Sequence, residues 1–354
     1  MCVLQWAYAA GKSMLVFEGV WNSQMLASTS RSAPGIYADT ILARLYISGA
    51  LLYNIRAGAS YGPRKYPSRR ETKAVCHLAW LYIAIILLAI FAIYAFCSAP
   101  SRRGRTLELP RLYAHRGLHG KGASENSLEA FERACRAGVG IELDVRLSAD
   151  DMVVVFHDDT LERLCGQTSC VDAMTLAQLK TCPLPDGTSI PTLEEVLALV
   201  AGRVPLLIEI KNGRNLAWLC ALTLERLRAY PGEYVVESFN PLAMRYFRRY
   251  AAHVPRGQLV SLSDGYLGAV LSVGAGALSH LMANFLSRPD FVAYDRRMQG
   301  VPAMHVQRTL HHTRLAIWTV HSRAELRKAL ARGESVIFEV GQGDDPIDPE
   351  NPAA

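Results

Sequence analysis

Short apolar runs in this chain repeatedly end in residues that can do chemistry. His115 and Arg116 follow Leu112-Tyr113-Ala114, and Glu142 and Asp144 lie in Gly140-Ile141-Glu142-Leu143-Asp144-Val145. His157 follows Val153-Val154-Val155-Phe156, and Glu209 and Lys211 close the run that starts at Pro205. Glu142 and Asp144 are two apart in a strand-like run, so both side chains point to the same side. Two carboxylates placed that way repel unless a cation or a strong donor stands between them. Glu209, ending another apolar run, would add a third acid, and three hard oxygen donors suit Ca²⁺ or Mg²⁺ better than zinc. Imidazole titrates near neutral pH, which makes His115 and His157 candidates for acid–base work. Arg116 and Lys211 supply fixed positive charge for an anionic substrate, so that with a divalent cation the set describes a site for a phosphate ester. Each residue alone has a structural explanation, as a hydrogen-bonding histidine or a solvated strand. Their recurrence at strand ends is what points to chemistry.

Such residues converge only if the strands lie side by side. Candidate strands are Leu112 to Ala114, Gly140 to Val145, Val153 to Phe156, Pro205 to Ile210, Tyr234 to Glu237, Gly257 to Ser261, Phe291 to Tyr294, Leu315 to Val320 and Ser335 to Phe338. Helical stretches alternate with them: Leu128 to Ala137, Thr192 to Leu199, Leu216 to Ala229, Pro241 to Tyr250, Leu267 to Phe285 and Arg323 to Ala331. The alternation predicts a parallel sheet with helical crossovers, of a size that suits an eight-stranded barrel. The ninth strand is one too many. The runs at 140 and 153 are joined too closely for a helix, so one of them is expected to be an excursion from the barrel.

The quoted residues also carry a family resemblance. Ala114-His115-Arg116-Gly117, Glu125-Asn126-Ser127 with Ala130-Phe131, Gly140 to Val145, Val155-Phe156-His157-Asp158-Asp159-Thr160-Leu161-Glu162-Arg163, Pro191-Thr192-Leu193-Glu194-Glu195 and Glu209-Ile210-Lys211 resemble, in order and spacing, the glycerophosphodiester phosphodiesterase family. The resemblance spans residues 111 to 340. It implies a TIM barrel with a small insertion at about 159 to 190, which would absorb the surplus strand. It also implies that Glu142, Asp144 and Glu209 hold a divalent metal, that His115 and His157 form the acid/base pair, and that Arg116 and Lys211 hold the phosphate. Glu125 and Asn126 would support the site, Asn126 as a further polar ligand, and Trp318 would line the pocket. Two positions depart from the family pattern: Ser127 stands for Thr, and His321 stands where Asn is frequent. The implied reaction releases an alcohol and glycerol 3-phosphate, with water or a neighbouring hydroxyl of the substrate's glycerol as attacker. A lysophospholipase D or C acting on lipids in the bilayer is an alternative enzyme. A non-catalytic, membrane-anchored binding protein on a decayed barrel is the alternative outside enzymes, and the complete set of acids and histidines argues against it.

Composition sets the frame. The chain has 354 residues, half of them hydrophobic, with a net charge of +6. Residues 1 to 104 contain eleven Lys and Arg against three acids, so the remainder is close to −2 and lacks the basic excess that nucleic acid requires. The positive charge instead flanks an uncharged apolar run from Leu78 to Cys97, whose twenty residues can cross a ~30 Å hydrocarbon layer. It is longer than the 7 to 15 apolar residues typical of a signal peptide, and no small-x-small site follows it. We therefore read it as a single-pass anchor over 74 to 98, with the catalytic domain extracytoplasmic from the charge bias. Residues 1 to 73 read as a poorly structured extension, 99 to 110 as a linker, and 341 to 354 as a disordered tail. The eight cysteines show no zinc-ligand spacing, and free, mostly buried thiols are expected.

Overall fold

A computed structural model of the chain describes residues 69–262, 281–341, 345, 347 and 348. Most of the N-terminal extension, most of the helix expected from Leu267 and most of the C-terminal tail lie outside them. The chain divides into two compact units, Met1–Leu88 and Ala89–Ala354. The helix α1, Arg69–Ser98, runs through the boundary. Its segment His77–Ser98 is the one helix among the described residues long and apolar enough to cross a membrane, and its apolar side chains are exposed.

From Leu112 onward, β1 (Leu112–Ala114), β2 (Gly140–Leu147), β3 (Val153–Val155), β4 (Leu206–Ile210), β5 (Tyr234–Ser238), β6 (Arg256–Val260), β7 (Phe291–Asp295), β8 (Arg314–Val320) and β9 (Ser335–Phe338) form one sheet. Its order is β1-β9-β8-β7-β6-β5-β4-β2-β3, and pairing of β1 with β2 closes eight of the strands into a parallel barrel. The surplus strand is β3. It pairs antiparallel with the far end of β2, Val145 opposite Val155, and so stands outside the closure. The following segment folds on a small core of its own, in which Val154, Phe156, Leu161, Leu179 and Ile190 are fully buried.

Packed around the barrel are α2 (Leu128–Ala137), α3 (Leu193–Val200), α4 (Leu216–Leu227), α5 (Pro241–Tyr250) and α6 (Arg323–Ala331). Their boundaries follow local signals. Ser127, Thr192, Asn215, Asn240 and Ser322 cap the N-termini by accepting backbone N–H bonds. Thr192 and Glu195 form a reciprocal capping box, and α2 stops at Gly138 in the left-handed region.

Strand periodicity sorts the side chains. On β2 and β4, Ile141, Leu143, Val145, Leu206, Ile208 and Ile210 point outward to the helices. Inside the barrel, Tyr113, Leu207, Val235, Leu259, Phe291, Ala293, Ala316 and Ile337 make an apolar layer, against which Leu107 and Leu109 also pack. The segment read as a linker is thus partly built into the barrel. Cys97, Cys135, Cys165, Cys170, Cys182 and Cys220 are free, with Cys182 and Cys220 buried and Cys170 exposed.

Candidate active site

One pleat above the apolar layer, the inward positions change character. Continuing the alternation from Tyr113, Leu207, Val235 and Ile337 leads to His115, Glu209, Glu237 and Glu339. Two inward positions on β2 are Glu142 and Asp144. His115, Glu209, Glu237 and Glu339 stand at or just past the carboxyl ends of their strands, the face on which barrel active sites are built.

The acids form a compact group. Asp144 on β2 is directly opposite Glu209 on β4. Ligand oxygens of Glu142, Asp144 and Glu209 lie within 4.8 Å of one another, and all three residues are buried. Burial, reinforced by Asp144 and Glu209, holds the Glu142 carboxyl well above the usual range. Burial and the Asp144 charge push Glu209 up to about 7, against the pull of Lys211. Asp144 moves the other way, because the charges of Lys211 and Arg116 outweigh its burial and hold it below its ordinary value. Lys211 Nζ lies 3.0 Å from Glu209 Oε1 and 3.1 Å from Asp144 Oδ1, so it neutralises the acids directly. Three crowded, buried carboxylates whose oxygens face one another fit a hard divalent cation.

Each histidine is held by a carboxylate at Nδ1. His115 Nδ1 lies 2.6 Å from Glu339 Oε1, and its Nε2 is 4.0 Å from Glu142 Oε2. His157 Nδ1 lies 2.6 Å from Asp158 Oδ1. With Nδ1–H donated to the acid, Nε2 is the nitrogen free to exchange a proton. Burial, then the charges of Lys211 and Arg116, lower the pKa of His157.

Charged bonds tie the two histidine loops together. Arg163 donates to Asp158 and to both oxygens of Glu125, and Arg116 Nη1 donates to Glu125 Oε1 at 2.7 Å. Arg116 also gives its backbone N–H to Glu142 Oε2 at 2.8 Å, and Asn126 Nδ2 donates to Asp144 Oδ2 at 2.8 Å. Arg116 and Asn126 take left-handed φ values of 55° and 56°, which aims these groups at the acids. Gly117, at φ 82°, has no room for a Cβ, which would come 2.9 Å from the Ala130 backbone and the Phe131 ring. Gly117→Ala is expected to destabilise the barrel by about 1–3 kcal/mol, read as a lowered urea midpoint.

Trp318, on β8, meets Phe239 edge-on with ring centroids 5.7 Å apart, at the rim. The structure therefore brings together His115, Arg116, Glu125, Asn126, Glu142, Asp144, His157, Glu209 and Lys211, while Trp318 packs against the inner apolar layer. Four others emerge from it: Glu339, Glu237, Asp158 and Arg163. Glu237 is fully buried beside Glu209 and is held well above its usual pKa by that burial. Glu339 gathers three histidines, since His321 Nδ1 is 3.4 Å and His119 Nε2 is 3.9 Å from its oxygens in addition to His115. His321, one of the departures from the family pattern, thus has a defined neighbour. Both glutamates follow the rule that exposed the other residues, a polar group one step beyond an apolar inward position.

Despite burial, the bond to His115 lowers the Glu339 pKa from 4.5 to about 2. A depressed carboxyl contributes stability above its unfolded pKa and loses it as pH falls through the folded value. The stability advantage of the wild type over Glu339→Gln is accordingly expected to shrink between pH 4.5 and about 2, as followed by denaturant melts.

A closed parallel barrel whose mouth sets buried acids among paired histidines and cations belongs to the class of TIM-barrel enzymes that act on phosphate esters. Within that class, residues 115–338 match the model of the glycerophosphoryl diester phosphodiesterase family, and the chain is a member of that family of phosphoric diester hydrolases. It is 35% identical over 158 residues to a glycerophosphodiester phosphodiesterase of Caldanaerobacter subterraneus, covering 41% of this chain and 65% of that protein, just under two thirds of its length. The barrel superposes on the crystal structure of a glycerophosphodiester phosphodiesterase from Thermotoga maritima with a TM-score of 0.51 and 27% identity, over 66% of this chain and 95% of that one. It shares the fold of an Oleispira antarctica phosphodiesterase solved with the product sn-glycerol-3-phosphate, with a TM-score of 0.54 and 23% identity over 65% and 93% of the two chains.

Proposed function

We propose that this chain is a divalent-cation-dependent glycerophosphodiester phosphodiesterase, anchored in a membrane by α1, that releases an alcohol and glycerol 3-phosphate. The observation that carries the reading is the buried triad Glu142, Asp144 and Glu209 set between two histidines, each with Nδ1 held by a carboxylate. A Ca²⁺ or Mg²⁺ ion held by the three acids would supply Lewis-acid neutralisation of the phosphodiester oxygens. Arg116 and Lys211 add positive charge on the substrate side and orient the phosphate, with Asn126 and Glu125 fixing Asp144 and Arg116. His157, biased toward its neutral form by burial, takes the proton of the attacking hydroxyl through Nε2. His115 delivers a proton to the departing alcohol as the phosphorus–oxygen bond breaks, and Glu339 holds its ring in place throughout. Trp318 packs against the alcohol portion.

The span His77–Ser98 supports a single-pass anchor. Arg64, Lys65, Arg69, Arg70 and Lys73 precede it, against Arg102, Arg103 and Arg105 after it, which favours an extracytoplasmic barrel. A lysophospholipase of the D or C type is the second reading, favoured by Phe239, which is partly exposed beside Trp318, and by the exposed Leu242 three residues on. A panel of glycerophosphocholine, glycerophosphoethanolamine, glycerophosphoglycerol and lysophospholipids, offered to the full chain in detergent with and without chelator, separates the readings. Cation-dependent turnover of the glycerophosphodiesters is expected. Preference for the lysolipids would support the second reading, and no turnover of any compound would restore a non-catalytic binding role.

A further inference from the structure

The two histidines of the site are placed by different means. His115 directly follows β1, a strand of the closed barrel, which has β9 on one side and β2 on the other. His157 comes after β3, the excursion strand, which stands at the end of the sheet order with β2 as its strand neighbour. The other edge of β3 meets Thr192 in an isolated bridge. A three-residue strand paired along one edge is a weak foundation for a proton-transfer group, whose misplacement by about 1 Å can cost on the order of 10²-fold in rate.

Arg146 supplies a second foundation. It lies two residues after Asp144 on β2, so its side chain leaves the strand on the side of Glu142 and Asp144. The side chain is only 11% exposed, and all three guanidinium nitrogens are engaged. Nε and Nη2 both donate to the carbonyl of His157, at 2.9 and 2.7 Å. Nη1 donates to the carbonyl of Asn212 at 3.0 Å and pairs with Asp159. Asn212 directly follows Lys211, just past the carboxyl end of β4. One planar, rigid group therefore ties the main chain at His157 to a barrel strand and, through Asp159, to the start of the insertion. The ring itself is held separately, by Asp158 at Nδ1.

Arg214 offers a contrast from the same loop after β4. Its Nη2 donates to the carbonyls of Ser148 and Ala149 and to Asp151, in the turn between β2 and β3. That bond set braces the same hairpin at the end remote from His157.

We infer that Arg146 is a positioning residue for the reaction: it fixes the backbone at His157 against the end of β4 and so sets the reach of the His157 ring into the site. Asp158 governs the rotation of the ring, and Arg146 governs where the ring starts from. The assignment rests on the phosphodiesterase reading and deepens it.

The test measures kcat and KM for glycerophosphocholine with the full chain in detergent and saturating Mg²⁺ or Ca²⁺. Arg146→Ala is expected to lower kcat by about 10- to 100-fold with KM within about threefold of wild type. In a His157→Ala background the same change should cost less than about threefold, because no ring is left to misplace. Arg214→Ala should change kcat by less than about threefold although it also unties loop from hairpin. Arg146→Lys keeps the charge and loses the two-pronged hold, so it should stay at least about threefold slower than wild type, and it carries the comparison if the alanine variant does not fold. A loss seen in KM alone, a full loss that persists in the His157→Ala background, an equal loss in Arg214→Ala, or a fully active Arg146→Lys would each overturn the inference. A wild type that turns over no glycerophosphodiester would instead be a failure of the phosphodiesterase reading, and the positioning role would fall with it.

Discussion

His157→Ala and His115→Ala are each expected to lower kcat for glycerophosphocholine by about 10²–10⁴-fold, the usual worth of a positioned acid or base. The fold should survive both changes, because neither ring belongs to the apolar layers. His157 bonds through Nδ1 only to its neighbour Asp158, which Arg163 also holds. His115 leaves behind Glu339, which retains His321 and His119 nearby. A thermal midpoint within about 4 °C of wild type, corresponding to ~1 kcal/mol, would show that only chemistry was removed. A variant retaining a tenth of the wild-type rate would exclude that histidine as acid or base.

Glu142→Gln separates metal binding from folding. Without a cation, burial and the charges of Asp144 and Glu209 hold the Glu142 carboxyl well above the usual carboxylate range, which favours its neutral form. Glutamine is a near-isostere of that neutral form and can still accept the Arg116 backbone N–H. The cation-free midpoint should therefore stay where it is or rise slightly. With cation at a hundred times its dissociation constant, the wild type should gain about 2.7 kcal/mol of stability, and the variant should gain almost none. Activity should fall with it. A variant that is stabilised by Ca²⁺ or Mg²⁺ as strongly as the wild type would remove Glu142 from the ligand set.

The barrel was legible because its strands are apolar runs closed by polar residues. β1 and β9 coincide with the runs Leu112 to Ala114 and Ser335 to Phe338, and α2, α5 and α6 also have the bounds expected from the sequence. The inward aim of Glu142 and Asp144 followed from strand alternation, with Ile141, Leu143 and Val145 facing the helices. Closure was not written locally. That Glu209 stands beside Asp144 depends on β4 pairing with β2 across a long insertion, which strand composition alone does not specify. Glu339 escaped because it lies just past the end of β9, and its partner His115 is 224 positions away. In residues 99 to 110 the Pro, Gly and Arg content resembles a tether, and the bonds made by Arg103 and Ala99 to partners 151 and 189 residues on are not visible in that composition.

The most direct measurement is glycerol 3-phosphate release from glycerophosphocholine by the purified full chain, followed through chelation and cation re-addition. Release should stop with chelator, return with Ca²⁺ or Mg²⁺, and be at least about a hundredfold slower in His157→Ala under every condition. Release that continues unchanged in chelator, or that proceeds in His157→Ala at about a tenth of the wild-type rate or more, would contradict a site built from the three buried acids and the carboxylate-held histidines.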